Sequence, residues 1–269
     1  MRKVEVAIIG AGSAGMRAYR EASKVTDSIV LIEGDQYGTT CARVGCMPSK
    51  LLIAAAEAAH AGSQADAFGI HYGDRVVDGE AVMKRVREER DRFVGFVVED
   101  VEEWPEEHRI KGYAKFKSDH VLQINENLEI EAERVVIATG SRARVPAIFN
   151  DLGDQLITSE DIFYWNRLPD SVAVFGAGVI GLELGQALHR LGVRTTLFGK
   201  GNKVAPLTDP EVIAEAGSAF SDEYPYFPHV DLTDVKLADG RVQIDFIAEG
   251  QSHQESFQYV LAATGRVPN

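Results

Sequence analysis

The chain has 269 residues, 45% hydrophobic and 26% charged, with 25 glycines and a formal net charge of −13. That length accommodates two domains with separate cores, and the acidic balance, with no compensating basic stripe, argues against nucleic acid and anionic membranes as partners. A total of two cysteines excludes a secreted disulfide scaffold, and no apolar run reaches the length of a membrane span, so the expected location is the cytoplasm.

The first element is the apolar stretch "VEVAIIGAGSAG", running into Gly10-Ala11-Gly12-Ser13-Ala14-Gly15. Glu5 interrupts its apolar part and no cleavage site follows, so it reads as a strand and not a signal peptide. A helix ("SAGMRAYREASKV") and a second strand ("SIVLIEG", Ser28–Gly34, containing Glu33) come next. Then "GTTCARVGCMPSK" places both cysteines, Cys41 and Cys46, within six residues, beside Thr39, Thr40, Gly45 and Lys50. "MPSKLLIAAAEAAH" reads as a helix with Pro48 in its first turn. The acidic run "EDVEEWPEEH" reads as a solvated helix end and loop. Short alternating segments "YAKFK", "VLQI" and "LEIEA" suggest an antiparallel meander, and "RVVIATGSRARVP" closes the unit at Ala138-Thr139-Gly140.

A second copy of the plan follows. "VAVFGAGVIGLELG" repeats the glycine pattern as Gly176-Ala177-Gly178-Val179-Ile180-Gly181, continues as a helix, and leads to the strand "RTTLFGK". "VDLTDVKL" and "RVQIDFIAEG", joined at Asp239-Gly240, form its meander, and "YVLAATGRVPN" closes it at Ala263-Thr264-Gly265. The expected fold class is therefore α/β, two tandem Rossmann-like three-layer domains, each with a small antiparallel β-meander. Residues 1–150 form the first domain and 151–269 the second, with a linker around 142–154.

In a strand–loop–helix unit of this kind the first glycine permits the tight turn, the second admits a pyrophosphate, and the third lets helix and strand pack closely. The helix N-terminus adds partial positive charge. Two such copies in register make dinucleotide binding the expectation for both halves. Glu33, ending the second strand, stands where an acid bonds an adenosine ribose. Its counterpart in the second copy is Gly199, followed by Lys200 and Lys203, which leans toward a 2′-phosphate while leaving NAD and NADP both open.

Cys46 falls at a helix N-terminus, where a thiolate is stabilised. Residues five apart on a regular helix point about 140° apart, so a bond between Cys41 and Cys46 needs an irregular turn, which Gly45 permits. Such a bond closes a small loop and stabilises little. Redox chemistry is thus the favoured reading of the pair, against a structural disulfide, two unrelated thiols, or a metal site lacking further ligands.

With these motifs in order, the chain resembles the pyridine nucleotide–disulfide oxidoreductases, the flavoproteins that include dihydrolipoamide dehydrogenase, glutathione reductase and mercuric reductase; the dihydrolipoamide dehydrogenase-like branch is most similar. The resemblance implies FAD on the Gly10–Gly15 loop and Glu33, with Thr40 and a Cys41–Cys46 redox disulfide against the flavin, Cys46 nearer it and Cys41 as the interchange thiol. It implies contacts from Gly112 and Ala114 to the adenine and from Thr139 and Gly140 to the FAD, with Arg266 on the flavin side of the junction between domains. It further implies that Lys50 approaches flavin N5 and pairs with Glu183. The implied activity passes electrons from NAD(P)H through FAD and the cysteine pair to a disulfide such as lipoamide. Another acceptor (mercuric reductase, glutathione reductase or transhydrogenase-like chemistry) and a non-enzymatic redox-sensing module are the alternatives.

Family members continue past the "GRVPN" element into a second FAD-contacting segment and a dimerisation domain whose His–Glu pair serves the partner's thiols. None of the seven histidines here, His60 and His71 included, takes that role. The expectation is a fragment of weak activity and a full-length homodimer.

Overall fold

The computed structural model describes residues 1–71 and 73–269, and its packing divides into two units. The first comprises residues 1–47, 90–142 and 268–269; the second comprises 48–89 and 143–267.

In the first unit, β1 (Arg2–Ile9) leads through the glycine loop into α1 (Ser13–Ala22) and β2 (Ile29–Glu33). Helix α2 (Thr40–Val44) follows; α3 (Cys46–Gln64) and the long α4 (Gly79–Glu102) come next in the chain and are divided between the units, their residues 48–64 and 79–89 belonging to the second. Strands β3 (Arg109–Lys111), β4 (Ala114–Ser118), β5 (Val121–Ile124) and β6 (Leu128–Ile137) complete a six-stranded sheet of order β3-β2-β1-β6-β5-β4. Its β3-β2-β1-β6 part is parallel, and β4, β5 and the start of β6 form the antiparallel meander. The central strands are apolar on both faces because both are covered. Ile8, Ile29 and Leu31 pack with Met16 and Tyr19 of α1 and Val101 of α4, while Ala7, Ile9, Val30 and Ile32 pack with Leu122, Ile124 and Ile130 of the meander.

The second unit repeats the plan. After the short strands β7 (Ser141–Ala143) and β8 (Leu156–Thr158) come β9 (Ser171–Phe175), α5 (Val179–Arg190), β10 (Arg194–Phe198), α6 (Pro210–Glu223) and β11 (Tyr226–Phe227). An antiparallel sheet of β12 (Asp231–Ala238), β13 (Arg241–Ala248) and β14 (Gln251–Phe257) precedes β15 (Tyr259–Ala262). The parallel sheet has the order β11-β10-β9-β15-β8. α6 starts where Asp209 accepts the amide hydrogens of Glu211 and Val212, with Pro210 in the first turn.

The α/β class and the paired units agree with the sequence reading, and three features extend it. Residues 142–154, expected as a linker, fold into the second core: Phe149 and Leu152 are fully buried, and the Phe149 ring lies 4.7 Å from that of Phe175. β14 adds a third strand to the second meander. Residues 48–89 cluster with residues 143–267 in the second unit. Among the described residues, no helix is long and apolar enough to cross a membrane.

Candidate active site

At the carboxyl ends of β1, β2 and β6, the first glycine loop opens a cleft of about 450 Å³. Gly10 has φ +102°, and a Cβ there would lie 2.4 Å from the Ala138 carbonyl oxygen; a Cβ on Gly15 would lie 1.8 Å from that of Gly10. Only glycine satisfies both positions. A Cβ on Gly12, by contrast, would meet nothing within 4 Å, so its backbone is open to an approaching anion. Glu33 Oε2 accepts the Ala11 amide hydrogen at 2.7 Å, and Oε1 accepts that of Asp35 at 3.0 Å. The carboxylate is thereby locked at the cleft edge with lone pairs to spare for a ligand hydroxyl.

Gly34, Thr39, Thr40, Gly112, Ala114, Ala138, Thr139 and Gly140 line the same cleft, as their sequence positions suggest. Ser13, Ala14 and Gly15 stand in the first turn of α1, the serine and alanine exposed and the glycine buried. Sequence reasoning missed Arg43, Tyr113 and Asn269. Arg43 lines the cleft, its Nη1 donating to the Gln36 carbonyl oxygen at 3.4 Å and lying 3.9 Å from Asp35 Oδ2. The Tyr113 ring packs on Gly34, where a Cβ would come within 2.5 Å of it; its place between Gly112 and Ala114 was the available signal.

The cysteine stretch runs directly from this cleft, since Thr40 lines it and Cys41 is the next residue. Thr39 caps α2, accepting the Ala42 amide hydrogen at 3.1 Å from a left-handed conformation of φ +57°. Gly45 (φ −130°, ψ −120°) breaks the helix between Val44 and Cys46. This break is the irregular turn that the pair requires, and it brings Cys41 against Cys46. Neither is in a disulfide; Cys41 is half-buried and Cys46 is exposed at the first position of α3. Burial pushes the Cys41 thiol above its ordinary value, and its hydrogen bond to Cys46 and the Cys46 charge push the same way; the amide groups of Cys46 and Met47 pull weakly against them.

Lys50, one turn along α3, is exposed, and its Nζ lies 2.6 Å from Glu183 Oε1 on α5. Both residues belong to the second unit.

The second glycine loop repeats the first. Gly176 has φ +112° with its would-be Cβ 2.4 Å from the Ala263 carbonyl oxygen, the Gly181 Cβ would lie 1.9 Å from the Gly176 oxygen, and Gly178 is open. A cleft of about 490 Å³ is lined by Gly176, Gly178, Val179, Ile180, Lys200, Lys203, Gly265 and Arg266, among others. Arg266 thus sits at the second cleft, its guanidinium 2.8 Å from Glu160. At Gly199 a Cβ would come within 2.6 Å of the Pro228 carbonyl oxygen, so the strand end closes against the following loop and offers no room for the acid that Glu33 supplies in the first unit. Among the described residues, no group of three or more His, Cys, Asp or Glu side chains is placed to hold a metal ion.

The family model for pyridine nucleotide-disulphide oxidoreductases matches residues 4–269. Mercuric reductase from Bacillus cereus is 31% identical over 80% of this chain and 34% of its own length, and dihydrolipoyl dehydrogenase from Cupriavidus necator is 31% identical over 100% and 60%. The fold matches that of a Cu(II) complex of the HOCl-induced flavoprotein disulfide reductase RclA from Escherichia coli, with a TM-score of 0.82 at 23% identity, covering 100% of this chain and 58% of that one. The chain therefore spans between 34% and 60% of the length of these relatives. Two clefts built on glycine loops, one of them lined by Thr40 immediately before Cys41, accord with the sequence match, and the chain belongs to the pyridine nucleotide-disulphide oxidoreductase family.

Proposed function

We propose that this chain carries the FAD-binding and NAD(P)-binding portions of a flavoprotein disulfide oxidoreductase, with Cys41 and Cys46 as its redox pair. The observation that carries the reading is that the cysteine pair directly follows the first cleft in the chain: Thr40 lines the cleft that Glu33 and the glycine loop build, and Cys41, the next residue, hydrogen-bonds to Cys46. Members of the family use FAD and NAD(P)H, and bound FAD would accept hydride from the nicotinamide and deliver two electrons onward.

The residues of the first cleft fit that cofactor. Open backbone at Gly12, with the positive charge of Arg43 in the cleft lining, suits a diphosphate, and the anchored Glu33 carboxylate suits a ribose hydroxyl. In the second cleft, Lys200 and Lys203 together with the crowded Gly199 favour a 2′-phosphate, hence NADPH. Lys50, oriented by Glu183, would supply the cation beside the flavin.

At the thiols the exchange balances as follows. Cys41 loses its proton and its thiolate attacks one sulfur of a disulfide, releasing the other as a thiolate that takes up a proton. The Cys46 thiolate then attacks the Cys41 sulfur of the mixed disulfide, closes the Cys41–Cys46 bond and frees the second thiol. The Cys46 side chain is already the hydrogen-bond partner of the Cys41 thiol.

Lipoamide is the leading substrate, from the similarity to dihydrolipoyl dehydrogenases at 30–31% identity over the whole chain. The comparable similarity to mercuric reductases favours a second reading, a thiophilic metal ion held between the two sulfurs. The test is anaerobic turnover of the flavin-loaded full-length protein with NADPH or NADH against lipoamide and Hg(II), in the native protein and in Cys41→Ser. Turnover of either acceptor that survives the substitution removes the thiol pair from the mechanism.

A further inference from the structure

Two ion pairs join α3 to α5 at matched intervals. Lys50 meets Glu183 at 2.6 Å, and seven residues further along both helices Glu57 meets Arg190 at 2.5 Å. Seven residues are about 10.5 Å of helix and return to within about 20° of the same face. The two rungs therefore record one register of one helix against the other, and a slip of a single residue, about 1.5 Å and 100°, breaks both.

The rungs differ in how firmly they are held. Lys50 and Glu183 have side-chain exposures of 60% and 36%, and an exposed pair of long side chains holds its own geometry weakly. Arg190 is 13% exposed and makes a two-point contact with Glu223 at the end of α6, Nε to Oε1 at 2.5 Å and Nη2 to Oε2 at 3.2 Å. Gln186, one turn earlier on α5, donates to the same Glu223 Oε2 at 2.7 Å. Forked contacts of this kind fix direction as well as distance. The guanidinium is thus pinned by α6 and turns its remaining Nη1 to Glu57 on α3.

We propose that Arg190 is a positioning residue for Lys50: anchored by Glu223 and Gln186, it sets the register of α3 through Glu57 and so holds the Lys50 amine opposite Glu183. The reading rests on the proposed function only in giving Lys50 a task; the helix register itself does not depend on a cofactor. Cys46 opens the same helix four residues before Lys50.

The test reads Lys50 directly. In the 269-residue chain, acetylation of Lys50 by limiting acetic anhydride is measured by peptide mass spectrometry against Lys24 as internal reference. Glu57→Gln removes the exposed end of the second rung and leaves the Arg190–Glu223 contact intact, so it provides a folded variant even where Arg190→Gln does not. The expected result is a rise in Lys50 labelling of at least threefold in Glu183→Gln and at least twofold in Glu57→Gln and Arg190→Gln, with Arg190→Lys between these and the native chain. Unchanged labelling in Glu57→Gln while Glu183→Gln responds overturns the proposal, and so does an unchanged Glu183→Gln. In flavin-loaded full-length protein, Glu57→Gln shifts the flavin midpoint potential in the direction Lys50→Met does, and not further in the Lys50→Met background. Labelling that responds without any shift in potential upholds the register and instead removes Lys50 from the flavin.

Discussion

The Ala11 amide hydrogen is held by Glu33 Oε2 at 2.7 Å, across 22 positions of chain. This bond joins the glycine loop after β1 to the end of β2, so one carboxylate both shapes the anion-binding turn and presents itself to the cleft. Replacing Glu33 with Gln removes the charge from that bond and from any ribose contact. Charge-assisted bonds contribute about 1.5–3 kcal/mol, so FAD affinity is expected to fall by about tenfold to a hundredfold, read by fluorescence titration of flavin into the apoprotein.

The glycines of the second loop separate fold from binding. Gly176→Ala forces a Cβ to within 2.4 Å of the Ala263 carbonyl oxygen at a left-handed φ, and is expected to cost about 2–4 kcal/mol in unfolding free energy. Gly178→Ala meets nothing within 4 Å and should leave thermal unfolding nearly unchanged while weakening 2′,5′-ADP binding, measured by calorimetry.

The Cys41 thiol is raised by burial first and then by its bond to Cys46 and the charge there. A raised value means less thiolate at a given pH, so alkylation of Cys41 by iodoacetamide should accelerate only above the usual thiol range. Cys46→Ala removes the second and third causes while leaving the desolvation of Cys41 as the main one, and is expected to move the rate–pH profile to lower pH.

Lys200 and Lys203 line the second cleft beside the crowded Gly199. The double substitution to Ala is expected to lower the NADPH-to-NADH ratio of kcat/KM about tenfold or more in the full-length protein, because each charge–phosphate contact contributes on the order of 1 kcal/mol.

Burial pushes the Glu223 carboxyl up, but the Arg190 and Gln186 hydrogen bonds outweigh it and the net value lies below the ordinary one. A depressed carboxylate stabilises the fold above its unfolded value, about pH 4.3, and that contribution disappears as pH falls through the folded value. Glu223→Gln should therefore flatten the acid limb of stability below about pH 5, measured by urea unfolding across pH.

Much of this molecule is legible along the chain. The two glycine loops, the strands before them and the helices after them follow from hydrophobic period and from φ values that only glycine adopts freely. The broken helix at Gly45 was likewise expected, because two cysteines five apart cannot meet on a regular one. The pairing of Lys50 with Glu183, by contrast, lay in no period or spacing and came only through family resemblance. β14, "QSHQESF", has no apolar alternation and is mostly exposed; it becomes a strand because Glu249 and Gly250, at φ +52° and +77°, turn the chain back onto β13.

What the sequence by itself determined was local: where backbone must turn, where an anion can approach, and where two sulfurs stand together. What only the tertiary structure decided was which distant surfaces meet. Residues 143–155 bury Phe149 and Leu152 in the second core, Gly199 closes against Pro228, and Arg190 reaches Glu57 and Glu223 from one helix to two others. The reason is physical: dihedral preference and capping act within a few residues, whereas burial and ion pairing act between segments whose separation in the chain carries no information about their separation in space.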